Sequence, residues 1–82
     1  MHDTNLQLRA TYDAASDAAY IYLARIDMGG VADTVPVDPR AVRGMINLDF
    51  DDTGRLVGIE ILDASAKLPP AVLAAFTSAT DA

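Results

Sequence analysis

The chain has 82 residues, 51% of them hydrophobic, with a formal net charge of −6 and no cysteine. That length allows one small domain spanning 1–82 and buries only roughly 60–65% of the surface the unfolded chain exposes; disulfide staples are excluded, and the hydrophobic share is too high for a disordered chain. The acidic balance disfavours a nucleic-acid reader, and no apolar run approaches the roughly 20 residues that would span a bilayer.

Residues 1–5 are polar, lack the basic-then-apolar order of a secretory signal, and are expected to fray, as are 79–82. A cytoplasmic, soluble protein is the resulting expectation. From Leu6 the chain alternates, with Leu6, Leu8, Ala10 and Tyr12 on one side and Gln7, Arg9 and Thr11 on the other, the pattern of a half-buried strand. Asp13-Ala14-Ala15-Ser16-Asp17 has the side chains to turn it. The aromatic and β-branched run Ala18 to Arg25 predicts a second strand, antiparallel to the first. Its alanines also allow a helix capped by Asp13 or Ser16, but contiguous Tyr20-Ile21-Tyr22-Leu23 shows no helical face.

Gly29-Gly30 breaks the chain before a weaker strand, Val31 to Val37, which Pro36 confines to a sheet edge. Asp38 to Gly44 is a connector. Met45 to Leu62 holds the densest apolar sequence and predicts a hairpin hinged on Asp52-Thr53-Gly54. Ile46, Leu48 and Phe50 share a face of its first arm; in the second, Val57, Ile59 and Ile61 share one face and Leu56, Gly58, Glu60 and Leu62 the other. A single helical turn is expected over Asp63 to Leu68. A short helix over Ala71 to Ser78 follows Pro69-Pro70, with Val72, Leu73 and Phe76 as its apolar stripe. The expected fold class is therefore α+β: an antiparallel β-meander of about five short strands with a C-terminal helix packed on one face. Both faces of the last strand are apolar, and one short helix cannot cover both, so a homodimer is expected to hide the remainder.

The sharpest chemical motif is Asp49 to Glu60, which carries carboxylates at the first and third positions, glycine at the sixth and glutamate at the twelfth of a calcium loop. Asp49, Asp51 and Glu60 are thus the candidate metal ligands. The flanks read as strand rather than helix, however, and Asp51-Asp52-Thr53-Gly54 is ordinary turn chemistry, so a hairpin without metal is the preferred reading. Asp13 and Asp17 also read as turn formers, and Glu60 is expected to face solvent or pair with Arg9, Arg25 or Arg55. The one histidine, His2, stands in the polar N-terminus; no phosphate loop or activated nucleophile is present, and no cofactor is expected. Tyr12, Tyr20 and Tyr22 could line a ligand pocket but more often pack on a sheet or at an interface, and Arg40 and Arg43 could meet an acidic group.

Three segments, Tyr12 to Leu23, Leu48 to Leu62 and Asp63-Ala64-Ser65, together resemble the small bacterial proteins of the domain of unknown function DUF2283. The pattern is tyrosine-aspartate before an aspartate-alanine strand, with glycine-isoleucine-glutamate in the last strand, and it covers about Leu6 to Leu68. The resemblance implies a compact sheet-and-helix domain with no established activity or cofactor, and an antitoxin-like role for members beside small toxin-like proteins. The expected function is a non-enzymatic protein–protein binding or assembly module, with Tyr20, Tyr22, Leu56, Glu60 and Leu62 as interaction candidates and a basic protein as a possible partner. The alternative is a small-ligand or metal-binding domain using Asp13, Asp17, Asp49, Asp51 and Glu60.

Overall fold

The computed structural model describes residues 7–78 apart from 39 and 43, with residue 78 described by its backbone alone. The expectations for residues 1–5 and 79–82, for Leu6 and for Arg43 lie outside these residues. Alternating side chains produce strands β1 (Arg9–Asp13) and β2 (Ala18–Tyr22), joined by the aspartate-rich turn. The remaining strands are β3 (Asp33–Pro36), β4 (Ile46–Phe50) and β5 (Leu56–Leu62), followed by helices α1 (Ala64–Lys67) and α2 (Pro70–Ala74) and a two-residue strand β6 (Thr77–Ser78). The fold is α+β, an open sheet of five antiparallel strands with two short helices after it. No helix among the described residues is long and apolar enough to cross a membrane.

The order across the sheet is β3-β4-β5-β2-β1-β6. It refines the plain meander. β3, β4 and β5 do run as one, but β2 pairs with β5 and not with β3, at Ala19↔Ile61 and Ile21↔Ile59. The reason lies in the sequence of β5. A strand apolar on both faces is stabilised most where it has neighbours on both sides, and β5 takes the centre between β4 and β2. Pro36 stands in the edge strand, as its missing N–H requires. At the opposite edge β6 pairs in parallel with β1, Thr11 opposite Thr77.

The C-terminal segment departs from the expectation in two ways. The helix begins at Pro70 and ends at Ala74, and Thr77-Ser78 leaves it to extend the sheet. Threonine favours strand over helix, and the outer side of β1 offers the backbone groups that residues 77 and 78 need. The core is small. Ala19, Ile61 and Ala64 form its buried centre, and Tyr12, Ile21, Ile59, Leu68, Leu73 and Phe76 pack around them. Cross-strand pairing puts Tyr12, Ala19, Ile21, Ile59 and Ile61 on one face, the face the helices cover. The other face carries Arg9, Thr11, Tyr20, Tyr22, Gly58 and Glu60, with Asn47, Asp49 and Thr34 from β4 and β3. Neither helix lies on it.

Candidate functional site: the open face of the sheet

The open face is organised by register. One row across the strands runs Arg9, Tyr22, Gly58, Asp49, Thr34; the next runs Thr11, Tyr20, Glu60, Asn47. Gly58 makes the two rows interlock. With no side chain at that position, the Tyr20 ring lies diagonally over β5, and a Cβ on Gly58 would collide with the Tyr20 hydroxyl. The hydroxyl so placed donates to Asp49 Oδ2 at 2.5 Å, while the Thr34 hydroxyl donates to Oδ1 at 2.6 Å. Asp49 is 9% exposed, and both its oxygens accept a charge-assisted bond. Burial, then the bond to this carboxylate, pushes the Tyr20 phenol well above the ordinary tyrosine range.

Next to this pair, Asn47 Nδ2 donates to Glu60 Oε1 at 2.9 Å. Glu60, expected to face solvent or to pair with Arg9, Arg25 or Arg55, is half-buried and takes an amide as its partner. Arg9 lies 4.5 Å over the Tyr22 ring, Arg25 pairs with Asp27 at 3.1 Å, and Tyr20 and Tyr22 have ring centroids 4.6 Å apart. The chain Thr34–Asp49–Tyr20–Tyr22–Arg9 thus crosses the sheet as one continuous set of contacts. Two of its members, Thr34 and Arg9, and the neighbouring Asn47 were not singled out from sequence as site residues. Gly58, inside an otherwise strong strand, was the available signal for a close approach.

The interaction candidates Tyr20, Tyr22, Glu60 and Leu62 come together here: Tyr20 is opposite Glu60, Tyr22 opposite Gly58, and Leu62 opposite Ala18. Leu56 stands at the far end of β5, beside an irregularity in the β4–β5 ladder at Asp49/Phe50. All five are half-buried.

The carboxylates of the metal or ligand alternative do not converge. Asp13 accepts from the Ala15 N–H within the first turn. Asp51 is occupied by the hairpin turn, accepting from the Thr53 N–H and hydroxyl and from the Arg55 N–H, which hold its pKa below the usual carboxylate range. Asp17, in a left-handed conformation at φ 52°, accepts from the Ser65 hydroxyl and N–H and from the Tyr12 hydroxyl at 2.6–3.0 Å. Among the described residues no three His, Asp or Glu side chains come together in a ligand set. The calcium-loop spacing therefore belongs to a β-hairpin, with Gly54 at φ +82° closing the turn. Asp17 ties the first turn to α1: its own backbone carbonyl also accepts from the Ala64 N–H.

Among the described residues two concavities flank the polar network, and one of them shares Arg9 and Tyr22 with it. Tyr12 lines an apolar groove with Pro70, Leu73 and Phe76, and Tyr22 lines a cleft with Arg9 and Arg25. The fold and its site thus define a small α+β domain with one open, hydrogen-bonded sheet face. The family model described as Protein of unknown function (DUF2283) matches residues 9–65, and the chain belongs to that family. The matched segment runs from the first residue of β1 to Ser65, the residue that Asp17 holds. No curated protein and no solved structure matches the chain.

Proposed function

We propose that this protein is a non-enzymatic binding module that receives a basic protein partner on the open face of the sheet. One observation carries the reading: Tyr20, Tyr22, Glu60 and Leu62 stand side by side on a face that neither helix covers, and their neighbours already fix them. Tyr20 is pinned by Asp49 and Tyr22 by Arg9. Aromatic side chains held in place lose little freedom on binding, which favours association. The net charge of −6 steers a basic partner toward the chain and repels an acidic one. The scattering of the carboxylates supports a binding role over a catalytic one, and an antitoxin-like role is the form of it that the family resemblance implies.

The test is affinity purification of the full chain from its native host, with Glu60→Lys and Tyr22→Ala variants in parallel. A basic protein should be recovered in fixed ratio with the parent chain, be released by salt, and be lost with both variants. Retention by both variants, or no partner in repeated trials, removes the reading.

A second copy of the chain is the other occupant that the structure favours, on a separate observation. Among the described residues no large side chain is fully buried, so one copy gains little from its own core. Light scattering should then give twice the 8.7 kDa chain mass; a monomer at micromolar concentration excludes this second reading and leaves the first standing.

A further inference from the structure

We infer that the cleft where β1 begins and β2 ends is a binding site for a small organic carboxylate with an apolar body. The cleft is an open concavity of about 500 Å³, with Leu8, Leu23 and Ile26 as apolar wall, Tyr22 as aromatic wall, and the exposed Arg9 and Arg25 as its cations. That volume lies within the size range of small-molecule sites, and an apolar lining with a few convergent polar groups is their usual chemistry.

The charges decide the class. The chain has only six basic residues against twelve acidic ones, yet two of the six line this one cleft, and among the described residues no carboxylate side chain lines it, although Asp27 pairs with Arg25 beside it. Arg9 is held at 4.5 Å over the Tyr22 ring, directly across from it in the β1–β2 register. Stacking of this kind fixes a guanidinium without consuming its N–H donors, and among the described residues none of those donors meets a carboxylate. Arg25 gives its Nε to Asp27 at 3.1 Å, which leaves the terminal nitrogens of its fork. A guanidinium fork matches the two oxygens of a carboxylate. The leucine and isoleucine wall in turn requires an apolar body, which inorganic phosphate lacks. The site lies apart from Asp49 and Glu60 but shares Tyr22 and Arg9 with the open face; it goes beyond the role proposed above in taking a small carboxylate, whose binding is read without any protein partner.

The experiment is an amide-resolved NMR titration of the full chain with benzoate, with benzyl alcohol as the neutral counterpart and inorganic phosphate as the body-less anion. Benzoate should shift the amides of Leu8, Arg9 and residues 23–26 along saturating curves, with little response to the other two. Arg9→Gln and Arg25→Gln, both at exposed positions, should each weaken benzoate binding about tenfold, the loss expected for one charge-assisted contact. Non-saturating shifts overturn the proposal, as does an equal response to benzyl alcohol, which leaves an apolar crevice only. An equal response to phosphate overturns it too, by reducing the site to general anion attraction. If one variant loses the dispersed amide spectrum of the folded chain, the other carries the comparison.

Discussion

Tyr20 reaches Asp49 across β5 only because residue 58 has no side chain, and this gives Gly58→Ala a definite sign. Replacing a strand glycine by alanine would by itself gain about 0.5–1 kcal/mol of chain entropy. Here the added methyl displaces the Tyr20 ring, with an overpacking cost of about 1–3 kcal/mol, and leaves Asp49 one donor short at a further cost of about 1–3 kcal/mol. The loss wins, and urea unfolding should show Gly58→Ala less stable than the parent by more than about 1 kcal/mol. Equal stability would mean that Tyr20 has no fixed position over β5. The same contact predicts a titration. Phenolate absorbance should show one of the three tyrosines ionising last, and Tyr20→Phe should remove that late step. Because its folded pKa is raised, Tyr20 contributes stability that is complete below the unfolded value of about 10 and is lost as pH rises through the folded one. Little of this was legible in the sequence. Gly58 marked a close approach, but nothing in the spacing of residues 20, 49 and 58 named the group that approaches.

At the scale of elements, two turns are fixed by aspartates that act on backbone groups. Gly54 sits at φ +82°, and a methyl group there would meet nothing within 4 Å, so Gly54→Ala should cost about 1 kcal/mol through conformation alone, measurable by the same urea unfolding. Asp17 joins the β1–β2 turn to α1, and its carboxyl is held below the usual carboxylate range, first by the Ser65 hydroxyl and then by that of Tyr12. A carboxylate with a lowered folded pKa contributes stability that is present above the unfolded value of about 3.9 and is lost as pH falls through the folded one. Asp17→Asn keeps a residue that tolerates the left-handed conformation and removes the charge. Its acid unfolding should therefore depend less on pH below about 4 than that of the parent, and an unchanged acid limb would show that the Ser65 and Tyr12 bonds do not stabilise the charged form. The hairpins were readable because turn residues and period-2 alternation are local. The Asp17–Ser65 link was not, since its partners lie 48 positions apart.

Across the whole molecule, the small core and the acidic charge bear on association. A basic partner on the open face should bind more weakly as salt rises, because screening shortens the reach of the −6 charge. Affinity measured from low to physiological salt checks this, and salt-independent binding would point to an apolar interface instead. What the sequence by itself determined was the α+β class, the five antiparallel strands, the edge position of the proline strand and the hairpin nature of the calcium-like loop. Each follows from side-chain periodicity or backbone geometry within a few residues. Only the tertiary structure decided that β5 lies between β4 and β2, that Thr77-Ser78 leaves the helix for the sheet, and that Glu60 meets Asn47. Those outcomes depend on which strands compete for a neighbour, and a residue's own sequence surroundings do not contain the strand that will lie beside it.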